Sequence, residues 1–226
     1  MPTIAVVGAG PGLGLEIARV FGTRGFSVAL VSRTQSRLDE LAATLSTEGV
    51  EAAGFAADIT DEASLIATFA AIREQLGPVD VLEFSPAPSA TSPGLEPVDV
   101  LDVTATNLQP QLDFYLYGAL NAVRQVLPDM LSNGTGTLLL TTGGGSVTPV
   151  QMLGNVNVAA SALRNWVLNL HGALTPKGVY AAHVAISAWI GSGKPEAEAS
   201  AIAQEYWKLY EARDRAELHY VAMPDA

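Results

Sequence analysis

The sequence contains no cysteine and few charged residues, and each shortage excludes a class of function. Without cysteine the chain can form neither a disulfide nor a thiolate zinc site. Lys and Arg number 12 against 23 Asp and Glu, and the formal net charge of −11 argues against a nucleic-acid partner. No uninterrupted apolar run reaches the roughly 20 residues that a membrane-spanning helix requires. The three histidines are dispersed, so no metal site is expected.

What the sequence does contain is apolar material for one large core. Its 226 residues are 49% hydrophobic and 15% charged, and no linker divides them, so we expect a single domain over 1–226. So low a charged fraction also suggests apolar surface that other subunits cover. The first apolar strand begins at Thr3, which leaves no room for a signal peptide. We therefore expect a cytoplasmic protein with no membrane partner.

Strand and helix patterns alternate along the chain. Short apolar runs predict strands, and apolar residues spaced three or four apart predict helices. This alternation predicts an α/β fold, a Rossmann-type doubly wound parallel sheet of about seven strands with helices on both faces. A Pro-rich loop at 85–98 leads to a long helix reaching about Leu131, which Pro110 must bend or restart. The predicted strands are 3–7, 27–32, 51–57, 79–84, 137–142, 179–186 and 218–222, and further helices cover about 34–48, 61–77, 154–175 and 196–213.

The first turn of the chain predicts a nucleotide site. Its sequence, Gly8-Ala9-Gly10-Pro11-Gly12-Leu13-Gly14, joins an apolar strand to an amphipathic helix. Glycines allow a sharp turn and a close approach of the backbone to a ligand, and the free amides at the start of the helix can bind a pyrophosphate. Gly8, Gly12, Leu13 and Gly14 are therefore candidate ligand contacts. A plain connecting turn is the alternative.

The residues after the second and third strands bear on the choice of cofactor. NAD-binding chains usually place an acidic residue after the second strand, whereas this chain has Ser32-Arg33. An arginine can bind a 2′-phosphate that a carboxylate would repel, which favours NADP(H) over NAD(H). A solvated charge at a helix start is the alternative for Arg33. Asp58, followed by Ile59, is either an acceptor for adenine or a helix cap.

These motifs, in their order and spacing, resemble the short-chain dehydrogenase/reductase family. The family implies a nicotinamide cofactor and hydride transfer to or from a carbonyl, an imine or an alkene. The resemblance extends over nearly the whole chain and also includes Gly77-Pro78-Val79-Asp80, Leu127-Pro128-x-Met130 and Gly134-x-Gly136-Thr137.

The resemblance implies further contacts and an assembly. Ser85 falls within the segment that matches the family's Asn-Asn-Ala-Gly motif, and it becomes a candidate cofactor contact. The backbone of Ile190 matches the position that holds the nicotinamide carboxamide, and Ser192 matches one that holds a phosphate. The helices at 111–131 and 154–175 match those that pair between subunits, which implies a homodimer or homotetramer.

The family's catalytic residues are not matched. Its Ser, Tyr and Lys positions fall on Gly143, Val156 and Ala160, and its helix Asn falls on Tyr115. Valine and alanine cannot donate a proton, and the loss of a general acid costs roughly 10²- to 10⁴-fold in rate. We therefore expect an NADP(H)-dependent oxidoreductase with a non-classical active site, acting on a small molecule. The alternatives are a catalytically inactive NADP(H)-binding sensor or partner protein, and a non-redox enzyme on the same fold.

Tyr115 is the first candidate for a replacement catalytic residue. Because Val156 and Ala160 are small, a phenol from the neighbouring helix can enter the space they leave. A core or interface tyrosine is the alternative. Other residues have a packing explanation beside a functional one: His183, Trp189 and the stripe Tyr206, Trp207 and Tyr210. One of Asn155 and Asn157 could bind substrate, with helix capping as the alternative, and Ser146 is a further candidate hydroxyl.

Overall fold

Seven parallel strands form one sheet in the order β3-β2-β1-β4-β5-β6-β7. The computed structural model describes residues 1–88 and 92–222, so 89–91 of the predicted Pro-rich loop and 223–226 of the predicted domain lie outside the described residues. The predicted parallel Rossmann-type sheet is confirmed. Its strands are β1 (Thr3–Val7), β2 (Ser27–Ser32), β3 (Ala52–Ala56), β4 (Val79–Phe84), β5 (Gly136–Gly143), β6 (Val179–Ala188) and β7 (Glu217–Ala222).

Helices cover both faces of this sheet, as expected. Asp61 caps α3, because its carboxylate accepts a hydrogen bond from the Ala63 N–H at 3.0 Å. The last predicted helix starts three residues late, since 195–197 forms a separate 3₁₀ turn. No helix of the described ranges is long and apolar enough to cross a bilayer. The helices are α1 (Leu13–Gly22), α2 (Gln35–Thr47), α3 (Glu62–Leu76), α4 (Ala105–Gln111), α5 (Gly118–Asn133), α6 (Gly154–Leu174) and α7 (Ala199–Ala212).

Each face of the sheet buries its own apolar cluster. Successive side chains of a strand point to opposite faces, so β5 directs Leu138 and Leu140 to one cluster and Leu139 to the other. The first cluster packs under α3, α5 and α6, and the second packs under α1, α2 and α7. Tyr206 on α7 is completely buried in the second cluster. Tyr206 is therefore a core residue, in agreement with the packing explanation for it.

A π-helical segment, Leu112–Tyr117, joins α4 to α5 in one continuous helical run. Pro110 has no N–H to donate to the carbonyl four residues earlier, and the wider turns follow directly after it. The expected bend or restart at Pro110 is thus a change of helical pitch rather than a break in the helix. Tyr115 lies within this segment.

Candidate functional site

A cavity of about 720 Å³ opens at the carboxyl ends of β1, β2 and β3. Open α/β sheets bind ligands at this edge. The wall also includes residues that the sequence analysis did not single out, among them Arg37, Glu40, Pro86 and Phe114. Five of the predicted cofactor contacts line it: Gly8, Ser32, Arg33, Asp58 and Ile59.

Gly8 brings the backbone of the first turn against the loop after β4. A Cβ atom at this position would lie 2.7 Å from the backbone N and Cα atoms of Pro86, and the φ angle of Gly8 is +105°. Both the space and the backbone conformation therefore require glycine. The Ser85 N–H donates to the Val7 carbonyl at 2.9 Å and holds the two loops together. Ser85 itself does not line the cavity.

The other residues of the first turn lie beside the cavity rather than in its wall. Gly12 precedes α1, and no side chain caps the N–H groups of Leu13 and Gly14 that follow. Gly14 is packed closely, since a Cβ atom there would lie 2.9 Å from the Cα atom of Ala9. The start of α1 thus offers uncapped amides of the kind that bind an anion.

Arg33 and Arg37 give one wall of the cavity its positive charge. Both side chains are exposed, and within the described residues neither forms an ion pair. Glu40 lines the cavity as well and opposes part of that charge. The spacing of four residues between the arginines, across the start of α2, is the signal that could have identified Arg37.

Asp58 serves the local backbone and also faces the cavity. Its Oδ1 atom accepts hydrogen bonds from the N–H of Thr60 at 2.9 Å and from its hydroxyl at 2.7 Å. Its Oδ2 atom has no hydrogen-bond partner in the part of the chain that the structure describes. Oδ1 therefore stabilises the local turn rather than capping α3, which Asp61 caps, whereas Oδ2 is available to a ligand. The neighbouring Ile59 is buried and forms part of the wall.

The predicted contacts for the nicotinamide half lie away from this cavity. Ile190 and Ser192 are exposed in the turn that follows β6, where the Ser192 N–H donates to the Trp189 carbonyl at 3.0 Å. The structure does not bring them into the cavity wall. Gly143 ends β5 and is exposed, and a Cβ atom there would meet nothing within 4 Å. The space over Gly143 is therefore open.

Tyr115 packs against the first apolar cluster and does not line the cavity. Its ring meets that of Phe114 edge to face, with the centroids 5.1 Å apart. Burial raises the pKa of its phenol, and the phenol has no hydrogen-bond partner among the described residues. The side chain is thus a neutral and unpaired hydroxyl at physiological pH.

Asn155 and Asn157 hold segments of the protein together. The Asn155 side chain is completely buried, and its Oδ1 atom accepts from the Val98 N–H at 3.0 Å. Its amide donates to the carbonyls of Glu96 and Asn107, each at 3.1 Å. Asn157 donates to the Val150 carbonyl at 2.8 Å. The structural explanation accounts for the side-chain amide groups of both residues.

His183 lies in the middle of a chain of hydrogen bonds beneath α6. Its Nε2 atom is 2.9 Å from the Thr142 hydroxyl, which is 2.8 Å from the Ser146 hydroxyl. Its Nδ1 atom is 2.9 Å from Oε1 of Glu217. Arg164 on α6 donates to both oxygens of that carboxylate, at 2.5 and 2.8 Å. Thr142 and Glu217 carried no sequence signal, because their contacts with His183 cross from β5 through β6 to β7.

Glu83 forms a second polar cluster on the opposite face of the sheet. Its carboxyl group is completely buried, accepts from Ser85 at 3.1 Å and from Thr141 at 3.4 Å, and has its pKa raised to about 8 by burial. Thr141 also shares a hydrogen bond of 2.7 Å with the Tyr206 hydroxyl. A glutamate within the otherwise apolar run 81–84 of β4 was the available signal for this cluster.

Comparisons with known proteins agree with this architecture. Residues 2–189 match the short chain dehydrogenase family. The very-long-chain 3-oxoacyl-CoA reductase of Podospora anserina is 30% identical over 180 residues, which are 77% of this chain and 51% of that protein. The chain thus spans about half the length of the curated relatives it matches.

Solved structures share the fold over nearly the full chain. Actinorhodin polyketide ketoreductase with NADPH superposes with a TM-score of 0.85 at 22% identity, covering 97% of this chain and 95% of that one. A 3-oxoacyl-[acyl-carrier protein] reductase with bound NAD from Brucella melitensis gives a TM-score of 0.83 at 19% identity, covering 98% and 89%. At these identities the likeness shows the fold alone.

Proposed function

The chain belongs to the short chain dehydrogenase family, and on this premise we propose that it is an NADP(H)-dependent oxidoreductase with a non-classical active site. The observation that carries the proposal is the cavity of about 720 Å³ at the glycine turn, lined by two arginines that form no ion pair within the described residues. A dinucleotide with a 2′-phosphate would supply the negatively charged partner for Arg33 and Arg37.

The cavity residues fit such a cofactor by their chemistry. Gly8 lets the backbone approach a pyrophosphate, and the uncapped amides of Leu13 and Gly14 at the start of α1 suit its charge. Ser32, Arg33 and Arg37 are proposed to hold the 2′-phosphate, whereas the free oxygen of Asp58 and the side chain of Ile59 would face the adenine. When bound, the nicotinamide supplies the hydride. For the remaining proposed contacts the family resemblance is the support: Gly12, Ser85, Ile190 and Ser192.

The two solved structures named above contain nicotinamide dinucleotides that differ in the 2′-phosphate. The ketoreductase structure holds NADPH, and the Brucella melitensis reductase holds NAD. The proposal of NADP(H) rather than NAD(H) therefore rests on Arg33 and Arg37. As substrate we propose a small molecule with a carbonyl, an imine or an activated alkene. A 3-oxoacyl thioester belongs among the probes because the Podospora anserina relative is a 3-oxoacyl-CoA reductase.

Tyr115 is the proton donor that the sequence suggests. Its unpaired phenol and raised pKa suit a neutral donor, but its place in the apolar cluster separates it from the cavity. Tyr115→Phe is the test, because it removes only the hydroxyl. A loss of turnover by more than about 10-fold supports this role, since general acids contribute roughly 10²- to 10⁴-fold. Unchanged turnover removes Tyr115 from the mechanism.

A catalytically inactive NADP(H)-binding sensor or partner protein is the second candidate. Gly143, Val156 and Ala160 occupy the positions at which the resemblance places the family's Ser, Tyr and Lys. A chain with these residues can still bind the cofactor, but it lacks the tyrosine that serves the family as general acid. This observation favours a protein that binds NADPH without turning it over.

Fluorescence titration with NADPH and with NADH is the first test, followed by NADPH oxidation with a panel of carbonyls, imines and enones. We expect tighter binding of NADPH and turnover with at least one member of the panel. Binding without turnover supports the sensor instead. If neither dinucleotide binds, both candidates are wrong.

We also propose a homodimer or homotetramer formed through 111–131 and 154–175. Exposed apolar side chains on these helices support it, namely Tyr117, Leu131 and Val158. Light scattering after size-exclusion chromatography measures the mass, and Val158→Glu should shift it towards the monomer. A monomer at micromolar concentration would contradict the proposal. The cytoplasmic location stays a prediction, which localisation of a tagged chain would test.

A further inference from the structure

The hydrogen-bonded chain beneath α6 connects three strands and a loop in a single line. It runs from the Ser146 hydroxyl through Thr142 and His183 to Glu217, with each step between 2.8 and 2.9 Å. Arg164 holds the far end through two hydrogen bonds to Glu217. His183 is completely buried, while the side chains of Glu217 and Arg164 are 24% and 32% exposed. A hydroxyl, an imidazole and a carboxylate in this order can move a proton.

The near end of this chain lies against Gly143 at the end of β5. Ser146 is three residues after Gly143, and its hydroxyl donates to the Gly143 carbonyl at 3.1 Å. Gly143 occupies the position of the family's serine, and the space over it is open. The Ser146 side chain is buried, and its hydroxyl lies one hydrogen bond below the exposed Gly143.

The surrounding charges set the protonation of His183. Burial lowers the pKa of its imidazole, Glu217 raises it again, and Arg164 and His219 lower it further. Arg164 lowers the pKa of Glu217, which keeps that carboxylate charged. His183 is therefore neutral at pH 7 and gains its charge as the pH falls below the ordinary value of 6.5.

The charge of His183 decides which way the hydroxyls point. In the neutral ring Nδ1–H donates to Glu217, so Nε2 accepts a hydrogen bond from Thr142. In the charged ring Nε2–H donates to Thr142, which then donates to Ser146, and the Ser146 proton can turn from the Gly143 carbonyl to a group in the site. The two forms of the ring thus produce opposite orientations of the same hydroxyls.

We propose that the chain Ser146–Thr142–His183 delivers the proton that the reduction consumes. This rests on the proposed reductase function. As the substrate carbon accepts the hydride, its oxygen takes the Ser146 proton, Ser146 takes that of Thr142, and Thr142 takes the Nε2 proton of His183. The imidazole ends neutral, Glu217 remains a carboxylate, and a proton from the solvent returns to Nε2 through water in the vacated site and the same hydroxyls. Ser146 would touch the substrate, whereas Thr142 and His183 act through it as positioning residues.

Nitrogen NMR of the histidine side chains tests the chain without turnover. We expect His183 to titrate below the ordinary value of 6.5 and to carry its proton on Nδ1 when neutral. Glu217→Gln should lower that pKa further, because it removes the charge that raises it. Thr142→Val should shift the Nε2 resonance, because it removes the hydrogen bond to that atom. A neutral ring protonated on Nε2 would overturn the proposal.

The pH dependence of NADPH oxidation tests the transfer itself. In the wild type the rate should rise as the pH falls, with its inflection at the pKa that NMR gives for His183. Ser146→Ala and Thr142→Val should lower the rate at least about 10-fold and remove the inflection. Thr141→Val is the matched control, the same change in the adjacent residue on the opposite face of β5, and should keep the profile.

The outcomes separate this proposal from the one it rests on. Turnover with an unchanged pH profile in Ser146→Ala and Thr142→Val overturns the proton chain and leaves the reductase in place. Turnover lost in Tyr115→Phe alone has the same consequence. An NADPH-binding protein without turnover on the whole panel overturns both. Circular dichroism confirms that each variant is folded, and Ser146→Ala, at the loop end of the chain, still tests the proposal should Thr142→Val fail to fold.

Discussion

The side chain of Asn155 accepts a hydrogen bond from the Val98 backbone N–H at 3.0 Å, and it joins the start of α6 to the segment before α4. The same side chain donates to Glu96 and Asn107 and accepts from the Val156 N–H at 2.9 Å, so one buried amide satisfies four backbone groups. Gly154 reinforces this contact, because its N–H donates to the Val98 carbonyl at 2.7 Å. One asparagine thus determines how the 96–103 segment packs on the helix that follows the candidate site.

Asn155→Ala should lower the free energy of unfolding by about 2–3 kcal/mol, because it leaves buried backbone groups without partners. Urea denaturation measures the change. The matched control is Asn169→Ala on the exposed side of the same helix, where we expect a change within about 0.5 kcal/mol. Equal effects in the two variants would show that the side-chain hydrogen bonds of Asn155 contribute little.

Arg33→Ala and Arg37→Ala should each weaken NADPH binding by about 10-fold or more and leave NADH binding nearly unchanged. The physical reason is that a charge-assisted hydrogen bond contributes about 1.5–3 kcal/mol, and only NADPH carries the 2′-phosphate. Fluorescence titration gives both dissociation constants. Arg215→Ala is the control, since this arginine precedes β7 at the opposite end of the sheet. Equal weakening of NADH would assign the arginines another role.

Glu83 should make the protein less stable as the pH rises. Its pKa is about 8 in the folded protein against an ordinary value of 4.5, so the folded state retains a proton that the unfolded chain loses. This contribution is fully present below about pH 4.5 and is lost as the pH rises through about 8, at up to about 1.4 kcal/mol per pH unit. Glu83→Gln should remove this slope.

Urea denaturation between about pH 5 and about pH 8 measures this effect. Glu83→Gln should exceed the wild type in stability at the upper end of the range, because its side chain has no proton to lose. Glu74→Gln on the exposed side of α3 serves as the control and should keep the wild-type slope. A wild-type slope retained in Glu83→Gln would assign the pH dependence to other groups.

Restoring the family's residues should create activity towards ordinary ketones. The triple variant Gly143→Ser, Val156→Tyr and Ala160→Lys supplies the missing hydroxyl, phenol and ammonium, and we expect a gain of about 10²-fold or more in NADPH oxidation. Gly143 accommodates a Cβ atom without any contact inside 4 Å. The control carries Val156→Phe in place of Val156→Tyr, so it has the ring without the donor. An equal gain in that control would mean that the phenol is not the source.

The sequence predicted the elements of the fold well, because their patterns are local. The apolar run Ser27–Ser32 has the signature of a strand covered on both faces, and the structure forms β2 over those residues. Pro110 was recognised as a disturbance of the long helix, but its result, a π-helical segment, lies between α4, which packs against α6, and α5, which packs against the sheet.

The predicted contacts that line the cavity all come from the carboxyl ends of β1, β2 and β3 and the loops that follow them. Gly8 and Arg33 directly follow β1 and β2, and adjacent parallel strands bring their carboxyl ends to the same edge, so both reach the cavity. Ile190 and Ser192 come after β6, four strands away from β2 in the sheet, and their turn folds on its own hydrogen bonds outside the cavity wall. Their distance from the cavity follows from strand order and loop packing.

The sequence by itself determined the parallel sheet, the glycine turn and the arginine that follows the second strand, because each depends on residues close together in the chain. Only the tertiary structure decided which polar side chains meet. His183 faces Glu217 because β6 and β7 pair in a register that sets these two residues side by side. Alternation along a strand assigns a face to each residue, but a partner 34 residues away is determined by register and packing alone.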